Sequence, residues 1–254
     1  MDNYQGCQQN SFVQARKDKL AVMSVLLKQM PSNGLSDSIN QRHGRINGLI
    51  LAAGLSSRMG EQKMLMPLRG KTVIENTIDS MLLAGVEQIV IVLGYRGQEL
   101  EELLARRYTG QRFIVVYNQR YAETDMLASL KIGLAAMPEC RAFFLLPGDM
   151  PMIDKETYLA IFQAMPQTGR SITFPLLHGY RKHPPLIDSS FIEEILNFDG
   201  QDGLRGFWNL NKNYIYTIDV DDLGCWTDLD TREQYRHCLN KVLNEKNATD
   251  KGGD

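Results

Sequence analysis

Residues 46–63 read INGLILAAGLSSRMGEQK, an apolar run followed by a loop of small and polar residues. The run has the length and the Ile/Leu content of a buried β-strand. The loop beginning at Ala52-Ala53-Gly54 would leave backbone N–H groups at the carboxyl end of that strand with little side-chain bulk around them. Such a loop suits close approach of a polyphosphate, and Arg58 and Lys63 add cations that bind phosphate oxygens. The stretch therefore predicts a strand that ends in a phosphate-binding loop.

Two well-known phosphate motifs do not fit this loop. A Walker A loop ends in Gly-Lys-Ser/Thr, whereas Gly60 is followed here by Glu61 and Gln62. The dinucleotide fingerprint G-x-G-x-x-G is not supplied by Gly54 and Gly60. Two alternatives remain on these residues alone: a phosphate loop of irregular pattern, or an ordinary strand-to-helix turn with two solvated cations.

The composition is that of a globular protein with a buried core, since 43% of the 254 residues are hydrophobic and 23% are charged. A net charge of −2 gives no general attraction to nucleic acid or to an anionic membrane, so we expect neither as a partner. The sequence has no run of about 18 apolar residues and no secretory pattern at its start, so we expect a cytoplasmic protein. Four scattered cysteines without a C-x-x-C pair fit a reducing compartment: Cys7, Cys140, Cys225 and Cys238.

Three segments are predicted along the chain. Residues 1–45 form an N-terminal extension, in which the apolar spacing of Phe12–Met30 indicates a helix that is followed by a polar linker. Residues 46–243 form one domain, and residues 244–254 form a polar, flexible tail.

Strands and helices alternate in the domain. Repeated β-α units of this length predict an α/β fold, with a mostly parallel central sheet covered by helices on both faces. Ligands of such sheets bind beyond the carboxyl ends of the strands. Strands are predicted near residues 46–51, 88–93, 113–117, 142–146, 171–176, 185–187 and 214–220, and helices near 73–82, 98–107, 126–137, 155–164, 191–197, 203–210 and 231–243.

Further polar clusters follow predicted strands. Asp149, in the turn 147–151, suits Mg²⁺, which takes one or two protein carboxylates together with phosphate oxygens and water; the alternative is an ordinary Gly-Asp turn. Residues 118–133 open a helix, for which an N-cap is the plainest interpretation. A basic loop at 178–184 can hold an anionic acceptor. The late acidic cluster consists of Asp219, Asp221, Asp222, Asp228 and Asp230.

The phosphate loop resembles a motif of a known protein family. Leu51-Ala52-Ala53-Gly54-x-Ser56-x-Arg58-Met59-Gly60-x-x-Lys63 is similar to the signature loop of the MobA-like nucleotidyltransferases, and among them to that of the molybdenum cofactor cytidylyltransferases. The resemblance implies a three-layer, Rossmann-like nucleotidyltransferase fold. It also implies that Arg58 and Lys63 are catalytic and steady the transferred and departing phosphates. The nucleotide-binding residues that it implies in this loop are Leu51, Ala52, Ala53, Gly54, Ser56, Arg58 and Lys63.

The resemblance extends to a metal site. Gly148-Asp149-x-Pro151 is similar to the Gly-Asp-x-Pro motif of the family, whose aspartate binds the metal. Asp149 is therefore implied as a catalytic ligand of Mg²⁺, and Gly148 as part of the nucleotide site. The pattern Asp228-Leu229-Asp230-Thr231 resembles a late Asp-x-Asp-Thr motif. It implies Asp228 as the second metal ligand, with Asp230 as the rival.

The family also suggests contacts for the nucleoside and for the acceptor. The residues that match its base- and ribose-reading positions in kind are Asn118, Thr124 and Ser129. The family more usually has glycine where Asp125 stands. The basic loop resembles the Arg-Gly-His-Pro segment of the cytidylyltransferases, with Lys182 in place of the glycine. Arg181 and His183 are therefore implied to bind the acceptor.

Together these residues imply Mg²⁺-dependent transfer of CMP from CTP to a molybdopterin-type cofactor, with release of pyrophosphate and a molybdenum hydroxylase as the recipient of the product. The Ala52-Ala53 pair resembles the pyrimidine-using branch, because the guanylyl branch has glycine at the second position. Two alternatives stay open: transfer to a sugar or polyol phosphate, and a non-catalytic protein that delivers the cofactor to a partner enzyme. Catalysis requires the phosphate loop to face Asp149 and Asp228 across one cleft.

Overall fold

The computed structural model describes residues 44–54, 62–109 and 113–240. The predicted helix at Phe12–Met30 and the tail at 244–254 lie outside these ranges. Ser56 and Arg58 of the phosphate loop also lie outside them. In the described part, strands and helices alternate from residue 46 onward.

The helices and strands have well-defined bounds. The strands are β1 (Ile46–Ala52), β2 (Pro67–Leu68), β3 (Lys71–Thr72), β4 (Ile89–Leu93), β5 (Phe113–Tyr117), β6 (Ala142–Pro147), β7 (Ile172–Leu177), β8 (Tyr180–Arg181), β9 (Leu186–Asp188) and β10 (Ile215–Asp219). The helices are α1 (Val73–Leu83), α2 (Gly97–Arg107), α3 (Met126–Ala135), α4 (Lys155–Ala164), α5 (Ile192–Asn197) and α6 (Gly203–Leu210), and residues 232–240 are also helical. Within the described ranges, no helix combines the length and the apolar character needed to cross a membrane.

The central sheet has the order β10-β7-β9-β6-β1-β4-β5, and β8 pairs with β7. The pairings of β1 with β4 and β6, of β4 with β5 and of β7 with β10 are parallel. Only β8 and β9, among the described strands of this sheet, run antiparallel to their neighbours. The predicted mostly parallel sheet is confirmed.

Every residue of β1 is buried, and its side chains alternate between the two faces of the sheet. Leu49 and Leu51 belong to the same apolar cluster as Leu130 of α3. Gly48 faces the other side, where an added Cβ would lie 3.1 Å from Sδ of Met81 in α1. Helices therefore cover both faces, which gives the three layers expected from the sequence.

The position of α3 depends on a glycine. A Cβ at Gly133 would lie 2.4 Å from Cδ1 of Leu49 and 2.8 Å from Cγ2 of Val92, closer than real Cβ atoms approach other side chains. Glycine therefore lets α3 lie directly on the sheet. This close packing fixes the N-terminus of α3 beside the carboxyl end of β1.

The predicted strands and helices within the described residues are confirmed, with bounds that shift by a few residues. A capping box begins the last helix: the N–H of Thr231 donates to Oε1 of Gln234 at 2.7 Å, and the N–H of Gln234 donates to Oγ1 of Thr231 at 3.2 Å. The hairpin of β2 with β3, the short strand β8 and the antiparallel direction of β9 were not predicted.

Candidate active site

A cleft of about 480 Å³ opens beyond the carboxyl ends of β1 and β6. The ends of these two strands, the start of α3 and two loops from the second half of the chain line it. The backbone N–H of Gly148 donates to the carbonyl of Leu51 at 2.9 Å, so the two strand ends lie side by side. This is the edge at which parallel α/β sheets bind ligands.

Lys63 lies in the middle of the cleft. Its Nζ donates to Oδ2 of Asp149 and, at 2.9 Å, to Oδ1 of Asp230. The side chains of Lys63 and Asp149 are only 11% and 8% exposed, whereas that of Asp230 is 40% exposed. Burial by itself lowers the pKa of Lys63, but the two carboxylates outweigh burial and raise that pKa above its ordinary value. The ammonium group is therefore a fixed positive charge at neutral pH.

Asp228 brings a third carboxylate to the cleft. Its Oδ1 accepts a hydrogen bond from Nε2 of Gln234 at 2.9 Å. Burial raises the pKa of Asp228, and the nearby charges of Asp230 and Asp149 raise it further, while Lys63 lowers it. Asp228 and its rival Asp230 both line the cleft together with Asp149. The described side chains thus place more negative than positive charge at this point.

The donor set determines which kind of metal fits here. The described residues contain no group of three His, Cys, Asp or Glu side chains arranged to hold a metal by themselves. Mg²⁺ does not require such a group, because one or two carboxylates suffice when phosphate oxygens and waters complete its octahedron. The carboxylates of this cleft therefore fit Mg²⁺ that is bound together with a nucleotide. They do not fit a metal centre whose ligands all come from the protein.

Two distant segments of the chain meet through a clamp, formed by Asp222 and Leu229 on one side and the residues after β6 on the other. Oδ2 of Asp222 accepts from the N–H of Asp154 at 2.9 Å and from Oγ1 of Thr157 at 2.8 Å. The N–H of Leu229 donates to the backbone carbonyl of Asp149 at 3.2 Å. The clamp therefore holds the carboxylates of the late acidic segment beside Asp149.

The start of α3 lines the other end of the cleft. Thr124 and Ser129 both face it, and buried Asn118 supports them from behind: its Nδ2 donates to Oγ1 of Thr124 at 2.9 Å and to Oγ of Ser129 at 3.0 Å. Asp125 is the N-cap of α3, where its Oδ1 accepts from the N–H of Ala128 at 3.0 Å. Asp125 also lines the cleft, so the capping interpretation and a position at the site are both correct.

Some residues at the ends of β1 and β6 line the cleft, and others are buried behind the lining residues. Leu51, Ala53 and Gly54 line the cleft. Ala52 is fully buried behind them, and Gly148 is packed so closely that an added Cβ would lie 3.2 Å from Cβ of Ala52. The predicted residues Ala52, Gly148 and Asn118 are thus placed behind the surface that a ligand would touch.

The basic loop contributes one residue that was expected at the site and one that was not. His183 and Lys182 line the cleft, but Arg181 is not among the described lining residues. Arg181 is exposed on β8, and its guanidinium lies 5.3 Å from the centre of the Phe174 ring. Burial lowers the pKa of His183, and this effect outweighs those of the Leu145 carbonyl and the Asp149 carboxylate, which raise the pKa. The imidazole is therefore neutral at neutral pH.

Several lining residues were not assigned from the sequence, namely Tyr121, Met126, Cys225 and Trp226. The sequence contains only two tryptophans, and one of them stands inside the late acidic cluster, which is the signal that could have indicated its position. Arg58 and Ser56 lie outside the described residues, but Gly54 and Lys63, on either side of that loop, both line the cleft.

A mostly parallel sheet with a polar cleft at its carboxyl edge defines the class of open α/β proteins that bind ligands at that edge. The MobA-like NTP transferase domain matches residues 48–214, and the protein belongs to this family. The chain is a nucleotidyltransferase, as the resemblance of its phosphate loop implied.

Individual relatives match most of the domain. The molybdenum cofactor cytidylyltransferase of Escherichia coli strain K12 is 29% identical over 191 residues, which are 75% of this chain and 93% of the relative. The nicotine blue oxidoreductase of Paenarthrobacter nicotinovorans is 28% identical over 201 residues, 76% of this chain and 96% of that protein. The crystal structure of Rv0371c from Mycobacterium tuberculosis H37Rv has a TM-score of 0.65 and 27% identity, covering 77% of this chain and 98% of that one. Relatives with such different names indicate that family membership alone does not fix the substrates.

Proposed function

We propose that this protein transfers CMP from CTP to a molybdopterin-type cofactor in a Mg²⁺-dependent reaction that releases pyrophosphate. The observation that carries the proposal is the position of Lys63 between Asp149 and Asp230, with Asp228 beside them in one cleft. A protein that only stores or delivers a cofactor has no need of this charge arrangement. The Ala52-Ala53 pair and the likeness to a molybdenum cofactor cytidylyltransferase support the choice of nucleotide and acceptor.

The reaction requires positioning more than covalent chemistry. An oxygen of the acceptor phosphate forms a bond to the α-phosphorus of CTP, and the bond from that phosphorus to the bridging oxygen of the departing pyrophosphate breaks. Lys63 meets the negative charge on the phosphate oxygens, and its two carboxylate partners hold the ammonium in place. Arg58 supplies a second cation from the phosphate loop. Asp149 and Asp228 would hold Mg²⁺, which neutralises phosphate charge when bound.

The neutral parts of the cleft orient the two substrates. The hydroxyl groups of Thr124 and Ser129, held by Asn118, are suited to hydrogen-bond the nucleoside, while the backbone at Ala53 and Gly54 approaches the phosphates. A phosphate monoester is already an adequate nucleophile, so no general base is needed. The low pKa of His183 keeps its imidazole neutral beside the acceptor, where it can exchange hydrogen bonds without adding charge.

The test is a matrix of nucleotides and acceptors. The full chain is incubated with Mg²⁺, one labelled nucleoside triphosphate and one acceptor, namely molybdopterin or a sugar phosphate, and pyrophosphate release is measured. We expect release with CTP and molybdopterin, and its loss when a chelator removes the metal. Pyrophosphate release with a sugar phosphate instead would overturn the proposed class of acceptor. Tight binding of molybdopterin without pyrophosphate release from any nucleotide would favour a protein that only carries the cofactor. Transfer of the product to a molybdenum hydroxylase is a further expectation, which a reconstitution assay tests.

A further inference from the structure

Trp226, which lines the cleft, forms an exposed aromatic pair with Tyr180. Trp226 and Tyr180 are 52% and 65% exposed, and their ring centres are 6.3 Å apart with the planes nearly perpendicular. Nζ of Lys182 lies 3.2 Å from the centre of the Trp226 ring. Trp226 and Lys182 line the same cleft as Asp228. A large apolar surface is therefore presented to a charged site.

The backbone that carries Trp226 is firmly braced. Oδ1 of Asp222 accepts from the N–H of Gly224 at 2.7 Å, and the N–H of Trp226 donates to the carbonyl of Leu223 at 3.0 Å. Any Cβ at Gly224 would lie 2.1 Å from the carbonyl oxygen of Met152, so the turn is packed directly on the segment after β6. The exposed indole thus belongs to a rigid turn, and its exposure is a property of the folded cleft.

The position of the indole assigns it to the acceptor half of the site. The hydroxyl groups of Thr124 and Ser129 mark the nucleoside half, at the start of α3. Trp226 instead contacts the basic loop, because Nζ of Lys182 lies 3.2 Å from the centre of its ring, and it precedes Asp228 by two residues. An acceptor whose phosphate lies near Asp228 would therefore extend the rest of its structure over the indole.

We propose that Trp226 is the stacking surface for a flat, conjugated heterocycle in the acceptor, and that Lys182 reinforces this contact through its charge. The inference rests on the proposed nucleotidyl transfer and selects between its acceptor classes. An aromatic face binds a conjugated ring over its whole area, and base–aromatic stacking of this type changes affinity by about tenfold or more. Sugar and polyol phosphates offer no such ring. Trp226 is thus the residue that determines acceptor specificity.

The experiment uses Trp226 itself as the reporter. The other tryptophan, Trp208, is partly buried and packs edge-on against Phe174 and Phe207. Trp208→Phe keeps an aromatic ring there and leaves Trp226 as the single tryptophan of the full chain. Its emission is followed during titration with 6-hydroxymethylpterin phosphate and, separately, with glucose 1-phosphate. We expect saturable quenching by the pterin phosphate and an unchanged emission with the sugar phosphate. Equal responses to both, or none to the pterin, would overturn the proposal.

Variants add a second, independent readout. Trp226→Leu should raise the KM for the heterocyclic acceptor by about tenfold or more and leave the KM for CTP unchanged, whereas Trp226→Phe should retain most of the affinity. Leu223→Ala is the matched control, because Leu223 is 54% exposed on the same turn but is not among the described lining residues. A wild-type acceptor KM in Trp226→Leu would refute the stacking role even if pyrophosphate is released. Saturable quenching without turnover would refute the proposed transfer and leave the stacking role intact.

Discussion

Replacing Lys63 by methionine removes the positive charge at the centre of the cleft while keeping most of the side-chain volume. In the wild-type protein, Nζ of Lys63 contacts the carboxylates of both Asp149 and Asp230. The two contacts differ in their surroundings: the side chain of Asp149 is 8% exposed, and that of Asp230 is 40% exposed. The substitution should therefore leave one shielded carboxylate and one solvated carboxylate without their shared partner.

The magnitude follows from this difference in exposure. Removing one partner of a buried ion pair lowers the free energy of unfolding by about 3–5 kcal/mol, because the remaining charge is poorly solvated. A partly exposed pair contributes only about 0.2–1 kcal/mol. Lys63→Met should therefore destabilise the protein by several kcal/mol, nearly all of it through Asp149. Asp149→Asn in the Lys63→Met background should restore a large part of the loss, and Asp230→Asn should restore little.

The assay is a pair of double-mutant cycles by denaturant unfolding, in a chelating buffer that prevents metal from replacing the lost charge. One cycle couples Lys63 with Asp149, and the other couples Lys63 with Asp230. We expect a coupling energy of about 2 kcal/mol or more in the first cycle and less than about 1 kcal/mol in the second. Equal coupling in both cycles would show that burial does not separate the two contacts, and the reasoning would fail.

Three further variants test other parts of the site. Asp149→Asn should lower Mg²⁺-dependent pyrophosphate release by about 100-fold or more with an unchanged circular dichroism spectrum, and near-normal release would remove Asp149 from the mechanism; exposed Asp221→Asn is the control. Asp222→Ala deletes the carboxylate of the clamp and should lower the free energy of unfolding by about 1.5–3 kcal/mol in urea titrations, so a value within error of wild type would contradict the clamp. Burial and Lys182 lower the pKa of His183, and they outweigh the Leu145 carbonyl and Asp149, which raise it. The unfolded chain therefore binds the proton more readily than the folded protein. The free energy of unfolding should fall as the pH drops below about 6.5. The free energy of unfolding of His183→Asn should fall less over that range, and identical pH profiles of the variant and the wild-type protein would contradict the lowered pKa.

The main features of the fold could be predicted because they depend on local patterns. Segments rich in apolar residues at 46–52 and 89–93 indicate buried strands, and the parallel sheet follows from the alternation of strands with helices. That topology brings Lys63 and Asp149 to one edge of the sheet, whatever the details of packing. Strands of two residues, such as β8, are too short to produce a periodic signal.

The surroundings of an individual side chain are hard to predict where they depend on such short elements. β8 ends at Arg181, whose guanidinium lies over the Phe174 ring, whereas the adjacent Lys182 lies beyond the strand and lines the cleft. Because β8 was not predicted, there was no basis for choosing between the side chains of Arg181 and Lys182. Asp228 and Asp230 are two positions apart, so an extended chain turns both toward the same side, and the choice between them as metal ligand stays a prediction.

The clamp between Asp222 and the residues after β6 makes the cleft depend on contacts between parts of the chain that are made at different times during synthesis. A ribosome delivers Lys63 and Asp149 long before Asp228 and Trp226, so the growing chain can complete much of its sheet while part of the cleft wall has not yet been made. A nascent chain in that condition holds a lysine and a phosphate loop but lacks the late carboxylates. The wall of the cleft that carries Trp226, Asp228 and Asp230 can therefore form only after residues 222–230 have folded onto the segment that follows β6.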